Sequence, residues 1–559
     1  ALEYKNRLQA GFGQEVNISL HLLFDYPTIA KLSDVLYQRI LAVNITSHSK
    51  KDDVFDAQQM YSEQSIRNIN LELQKEGFSI GEDLLKTIIS RAVDLKEKNL
   101  VRIANRSLPI PLSLGQERLW FIHQYGQSKN IQYNEDFVID IKGDINVDEL
   151  CQALRLLVHK YEIFRTRYPV TDGVPHQEIM NHCECVELID SNLESAIQTI
   201  KKFKGHSFNL ELAPAFSVKV FEINSTNRVL LYVHQHHILT DGRSSSLFIK
   251  ALFTLYKQLS EGIEIVNEPL LIQYADYSVW QRKRLESGEW DSQLNYWKEN
   301  LMGYQRLNLP YDLPRPKIFT YEGDFVNISL DRYITHQIKE FCKSQGITLY
   351  MLMNGVLSIL MSKWSGQNDI LFTSPVSGRH EAQLENQLGF FVNNIVIRNR
   401  LDLSVSVRDF LGQVKESTTA CFKNQDIPFG YLIGELNVER GDNHEPLSGV
   451  GLAVQERIRD ELTINGLDCN LISLGAHPAL AKTQSDLCSL YEDYQCHNDL
   501  GFEVIEHENC LHFGIDFSTQ LFFKGTIERM RGHFINILSN MINHPDQLVK
   551  DIEMLSKEE

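Results

Sequence analysis

His234-Gln235-His236-His237-Ile238-Leu239-Thr240-Asp241-Gly242 closes an apolar run that begins at Arg228. The run, Val-Leu-Leu-Tyr-Val up to Val233, reads as a buried strand by its length and β-branched content. Beyond Gly242, the residues Leu247, Ala251, Leu255 and Leu259 recur at helical spacing. The stretch therefore predicts a strand ending at His236-His237, a turn at Asp241-Gly242, and then a helix. Neighbouring strand residues point to opposite faces, so only one of the two histidines faces a given cavity. A histidine there exchanges protons near neutral pH, with helix N–H dipoles close by. It is a candidate general base; the plainer reading is one packed and one exposed histidine.

The 559 residues predict two to four domains. Apolar residues make up 43% and charged residues 23%, an ordinary globular balance. The net charge of −18 argues against bare nucleic acid as a partner. No run approaches the ~18 apolar residues of a membrane helix and no signal peptide opens the chain, so no membrane partner is expected. Nine cysteines without a Cys-x-x-Cys suggest free thiols in a reducing cytoplasm. Cys183 and Cys185 lie beside His182, but no second cluster completes a metal site, and no metal is expected.

Taken in order, residues 1–42 read as a helical pair. The second helix follows Pro27, which suits a first turn. Residues 43–108 read as a linker followed by a helical docking segment, with Leu84, Leu85, Ile88, Ile89 and Val93 on one face. From residue 109 the texture changes. Ser113 is placed to N-cap a helix, and Gln116 three residues on completes a capping box. Val147 to His159 is helical with one apolar side. The Pro-bounded stretch Leu309 to Pro316 reads as a crossing between two lobes, 109–285 and 286–559. The second lobe repeats the alternation: helices near Tyr333–Gln345 and Leu349–Trp364, a strand at Asp369–Ser374, and a last helix from Lys524 to Asn543.

Seven segments then fall into a known order: LSLGQERLWFIHQ, HKYEIFRTRY, HHILTDG, YADYSVW, SPVSGRH, LGFFVNNIVIR and NQDIPF. They resemble the signature motifs of condensation domains of non-ribosomal peptide synthetases, over about residues 109–555. The opening LEYKNRLQ and LFDYPTIAKLSDVL resemble the C-terminal part of a polyketide-type acyl carrier domain, whose phosphopantetheine serine lies before the first residue here. The final DIEMLSKEE resembles a linker into the next domain of an assembly line. The resemblance implies an α/β fold of two pseudo-repeated chloramphenicol-acetyltransferase-like lobes, forming a V with a central tunnel. A small N-terminal helical carrier fragment precedes it.

It also implies an enzyme, an acyltransferase inside a multidomain cytoplasmic synthetase. An upstream acyl carrier domain presents a thioester as donor, and a downstream peptidyl carrier domain presents an amine as acceptor. The chain itself holds no cofactor; the phosphopantetheine arms belong to the partner carriers. On the family's pattern His237 is the active histidine and the Gly242 N–H steadies the oxyanion. His236 packs inward. Asp241 pairs across the lobes with Arg379, and Arg165 forms a structural ion pair with Glu162. Ser113 and Asn393 line the tunnel, Ser113 equally well as a plain N-cap. Arg243 stands where tryptophan or valine is frequent; it contacts a phosphate or acyl carboxylate, or it is a solvated arginine.

The same motifs serve ester-forming and chain-releasing relatives, separated by the acceptor nucleophile. A non-catalytic recruitment module would lose the histidine pair, and a cyclisation domain would carry paired aspartates instead. The carrier-like opening points to a polyketide acyl group as donor.

Overall fold

The computed structural model describes residues 106–556 except 126–130, 224–225, 266–268, 318, 439–444, 457–465, 475–485, 492–493 and 508–509. The chain divides into two units, Ala1–Leu100 and Val101–Glu559. In the first, the short strands Val16–Asn17 and Ser79–Ile80 pair antiparallel. Otherwise the carrier fragment expected over 1–42 and the docking segment over 43–108, its last three residues apart, lie outside the described residues.

The second unit is built on two main sheets. Its first half runs α1 (Leu114–Tyr125), β1 (Phe137–Lys142), α2 (Val147–Lys160), β2 (Val186–Ser191), α3 (Leu193–Lys204), β3 (Phe216–Ile223) and β4 (Arg228–Gln235). Helices α4 (Gly242–Ser260), α5 (Tyr274–Glu286) and α6 (Asp291–Asn300) complete it. The second half runs β5 (Gly323–Leu330), α7 (Arg332–Gln345), α8 (Leu349–Ser365), β6 (Asp369–Val376), β7 (Asn393–Arg400), α9 (Val407–Lys423) and α10 (Phe429–Glu435). Strands β8 (Val450–Glu456), β9 (Asp468–Ser473), β10 (Leu500–His507) and β11 (Cys510–Ser518) follow, and α11 (Lys524–Asn543) closes the fold. Among the described residues no single helix is long and apolar enough to cross a membrane.

The first sheet has the order β9-β1-β4-β3-β2. Strand β4 is its centre, antiparallel to both neighbours. A central strand covered on both faces needs no polar alternation, which is why Val229 to Val233 reads as unbroken apolar sequence; all five are buried. Helix α3 covers one face through Ala196 and Ile200 against Val138, Leu230 and Tyr232. Removing Leu230, Leu231 or Val233 from water contributes about 1.5–3 kcal/mol each.

The second sheet has the order β5-β11-β10-β8-β6-β7. Helix α8 is apolar nearly all round, as a fully enclosed helix is, and eleven of its residues are buried. Its three buried polar side chains do not go unpaired, and Ser362 Oγ donates to Asn368 Oδ1 at 3.0 Å. Asn399 of β7 donates to Asn354 Oδ1 at 2.6 Å and to Ser358 Oγ at 2.8 Å, and Asn354 donates to Thr418 of α9 at 2.9 Å. This seam fixes how α8, α9 and the sheet meet.

One strand crosses the division drawn from sequence at 285/286. Strand β9 leaves the second half and pairs antiparallel with β1, Asp468 opposite Lys142 and Ser473 opposite Phe137. The chain then returns to the second sheet as β10, parallel to β8. The two lobes therefore share a sheet edge as well as packed faces.

Candidate active site

The central strand stops one residue short of the histidine pair, which its pattern places on the strand's end. Strand β4 stops at Gln235. The His236 N–H donates to Ala215 O at 3.0 Å, and the His237 N–H donates to Tyr133 O at 2.7 Å. His237 to Leu239 then form one turn of 3-10 helix. The kink sends the two rings into unlike surroundings.

His236 is fully buried, and its Nδ1 accepts the Ile238 N–H at 3.0 Å. Its ring meets His123 edge-on at 5.1 Å. Burial first, then the nearby His123, His237 and His234, push its pKa well down. It is a neutral packing histidine, as its inward position requires.

His237 keeps about a fifth of its side chain exposed. Its Nδ1 lies 2.7 Å from Thr240 O. A carbonyl only accepts, so Nδ1 carries the hydrogen and Nε2 presents a lone pair. Phe390 holds the ring edge-on at 4.9 Å. The arrangement suits proton acceptance at Nε2.

Asp241 ends the turn and N-caps α4, accepting the Ser244 N–H at 2.8 Å. The side chain is buried. Arg379, just after β6, reaches it with two parallel bonds: Nη1 to Oδ2 and Nη2 to Oδ1, both 2.9 Å. The Phe391 and Val392 N–H groups also donate to Oδ2, at 2.9 and 3.2 Å. Five hydrogen bonds meet one carboxylate, which is what a buried charge needs. The geometry depends on Gly378, whose φ is +65° and where a Cβ would lie 1.9 Å from Phe391 O. A neighbouring stitch repeats the theme: Ser244 Oγ donates to Gly389 O at 2.7 Å, and Tyr274 OH donates to Phe390 O at 2.5 Å.

The other expected residues are placed as follows. Ser113 and Gln116 form the capping box, Gln116 N–H to Ser113 Oγ at 3.1 Å and Ser113 N–H to Gln116 Oε1 at 3.2 Å. Ser113 and Asn393 line one cleft between the halves, together with Tyr277, Trp280 and Phe390. Phe390 is common to that cleft and to His237. Asn393 spends both ends of its amide internally: Nδ2 donates to Gln425 O and Ile427 O at 2.9 and 2.8 Å, and Oδ1 accepts the Phe429 N–H at 2.9 Å. It clasps the loop into α10. Gly242 is exposed at the helix start, with open space where a Cβ would stand. Arg243 is exposed, and it pairs with no carboxylate among the described residues. The expected Arg165–Glu162 pair does not form. Glu162 pairs with Arg106 at 3.1 Å. Arg165 instead donates to the carbonyls of Met180 and His159, at 2.6 and 3.3 Å. Positions i and i+3 of a 3-10 turn share a face, so the pair is lost to competition: Arg106 takes the Glu162 carboxylate, and the Met180 and His159 carbonyls take the Arg165 guanidinium.

Residues outside the motifs complete the surroundings of His237. Glu135 comes from the segment before β1, its Oε1 3.8 Å from His237 Nε2. His497 comes from between β9 and β10 and stacks on Tyr133 at 5.2 Å. Burial, and then the charges of His237 and Arg118, lower its pKa to about 4. No local periodicity announces either residue, because each reaches the site from an irregular segment. Among the described residues no three His, Cys, Asp or Glu side chains converge as metal ligands.

A family model described as Condensation domain matches residues 108–559. Bacitracin synthase 3 of Bacillus licheniformis is 33% identical over 453 residues, 80% of this chain and 7% of that protein. The chain spans a fifth or less of the curated relatives it matches. Among solved structures, the X-domain in complex with OxyB from teicoplanin biosynthesis aligns with a TM-score of 0.72 at 21% identity, over 82% of this chain and 98% of that one. The condensation domain from the Monacolin K polyketide synthase MokA aligns with a TM-score of 0.67 at 18% identity, over 79% and 99%.

Proposed function

The chain belongs to the condensation-domain family, and on that premise we propose that it joins an acyl thioester on an upstream carrier to an amine on a downstream carrier, forming an amide. The observation that carries this reading is the locked tautomer of His237, with Nδ1 tied to Thr240 O and Nε2 left open. Aminolysis of a thioester is downhill, so the domain's tasks are alignment and proton handling. The acceptor arrives as an ammonium. One proton goes to His237 Nε2 and then to solvent. The nitrogen lone pair attacks the thioester carbonyl, the C–N bond forms and the C–S bond breaks. The second proton leaving nitrogen ends on the departing thiol.

The Gly242 N–H, at the start of α4, is the donor we assign to the oxyanion. Asp241 and Arg379 act beneath the site by fixing the turn that carries both groups. Arg243, exposed beside Gly242, is the cation we assign to an arm's phosphate. We take the donor to be a polyketide acyl group, because residues 1–42 resemble the end of a polyketide-type carrier. The chain would be one station of a larger cytoplasmic synthetase, and the phosphopantetheine arms would come from its carriers.

The test loads both carriers and follows them by intact-protein mass spectrometry. The expected product is the acyl-amide on the downstream carrier, with the upstream arm freed. Transfer only to a hydroxyl acceptor would replace the amide reading with an ester-forming one.

A further inference from the structure

The open edge of His237 faces one carboxylate. Glu135 Oε1 stands 3.8 Å from His237 Nε2, too far for a direct hydrogen bond. Glu135 is held in register with the imidazole by the backbone. Its N–H donates to Gln235 O at 2.7 Å, and the His237 N–H donates to Tyr133 O at 2.7 Å. Between them Asn134 bridges His236. Residues 133–135 are thus laced to 235–237, and only side-chain torsion separates the carboxylate from the base. Among the described residues no lysine or arginine pairs with Glu135, and the His237 imidazole is the basic group that stands beside it.

The gap has a shape. A nitrogen standing about 2.8 Å from both acceptors, themselves 3.8 Å apart, sees them about 85° apart. Two N–H bonds of one ammonium span such an opening. Both walls accept and neither donates, since His237 Nδ1 already uses the ring's hydrogen on Thr240 O. A hydroxyl brings one hydrogen and leaves one acceptor unmet.

We propose that Glu135 contacts the substrate, seating the acceptor as its ammonium and handing it to His237. This rests on the amide-forming reading above and deepens it. The carboxylate takes one N–H and keeps it while His237 Nε2 removes another hydrogen. The lone pair so freed lies along the broken N–H bond, toward His237, and pyramidal inversion of the amine swings it out of the seat toward the thioester while Glu135 keeps its N–H. Glu135 neither takes nor gives a proton in the step, so the proton count of the reaction is unchanged. It acts by selecting an amine over an alcohol.

The test uses the whole chain with two small probes, glycyl-pantetheine thioester and its hydroxyl counterpart, glycolyl-pantetheine thioester. Affinity for each is titrated by NMR in wild type, Glu135→Gln and Glu135→Asp. Transfer from acetyl-pantetheine is followed by mass in parallel. Losing one charge-assisted bond predicts that Glu135→Gln binds the glycyl probe about tenfold more weakly. The glycolyl probe should shift less than twofold, and Glu135→Asp should recover part of the glycyl affinity. Equal loss for both probes, or none for either, overturns the proposal. If wild type transfers to glycyl while Glu135→Gln keeps its glycyl affinity, the proposal falls and the amide reading stands. If wild type transfers to neither probe, the amide reading falls, and the two affinities still decide whether Glu135 seats an ammonium.

Discussion

Arg379 and Asp241 belong to different halves of the sequence, yet their side chains close a two-pronged pair at 2.9 Å on each prong, both almost wholly out of water. Removing the carboxylate strands a guanidinium and three backbone N–H groups, those of Ser244, Phe391 and Val392. Asp241→Ala should lose about 3–5 kcal/mol of stability, the usual cost of an orphaned buried charge. The melting temperature should drop by about 3–5 °C for a unit of this size, read by scanning calorimetry. An inactive variant that melts like wild type would move Asp241 from scaffold to chemistry.

His237→Ala should slow amide formation by about two to four orders of magnitude, the range of a general base. The ring is partly exposed and its neighbours keep their own bonds, so the fold should hold. Circular dichroism paired with single-turnover mass spectrometry checks both halves. Near wild-type turnover would take His237 out of the mechanism.

Acid should weaken the fold through His497. Its pKa is about 4 in the folded state and 6.5 as an ordinary imidazole. Below about pH 6.5 the unfolded chain binds a proton that the folded chain refuses, so stability falls from there toward pH 4. His497→Phe should flatten that slope in denaturant titrations across pH 4–7. An unchanged slope would assign the acid sensitivity elsewhere.

Glu503 on β10 titrates in the opposite sense. Burial first, then the charge of Asp516, raises its pKa to about 7. Its contribution is complete below the ordinary carboxyl value of 4.5 and is lost as pH rises through 7. Glu503→Gln should therefore stabilise the chain at pH 8 and do little at pH 4. A gain of equal size at both pH values would rule out the ionisation as its cause.

The donor can be decided by competition. An upstream carrier loaded with an acyl or an aminoacyl group of matched length is offered to the chain, and transfer is followed by mass. The polyketide reading expects the acyl group to win, with each buried methylene worth ~0.8 kcal/mol. Preference for the aminoacyl donor would leave a conventional peptide-chain condensation domain.

Much of this was legible in the sequence where the signal is local. The helix from Lys524 to Asn543 spans those very residues, and the capping box of Ser113 and Gln116 forms as its spacing predicts. The Asp241–Arg379 pair was legible only through family resemblance, since its members lie 138 positions apart. Where a partner is chosen by tertiary packing, the reading missed. Glu162 takes Arg106 in place of Arg165, which turns to two backbone carbonyls. Glu135 and His497 carry no periodic mark. The crossing of β9 was equally silent, because a six-residue strand does not say which sheet it will join.

That crossing sets a clock on synthesis. When the ribosome has made the histidine stretch, β1 still lacks its outer neighbour, and its edge lies open to any passing strand. The missing strand emerges more than two hundred residues later. At the usual pace of about 5–20 residues per second, the delay is on the order of ten to fifty seconds. Through that interval the nascent first half is a template for mispairing. Chaperone dependence during translation, and failure of any fragment cut before Asp468, are what such a schedule entails.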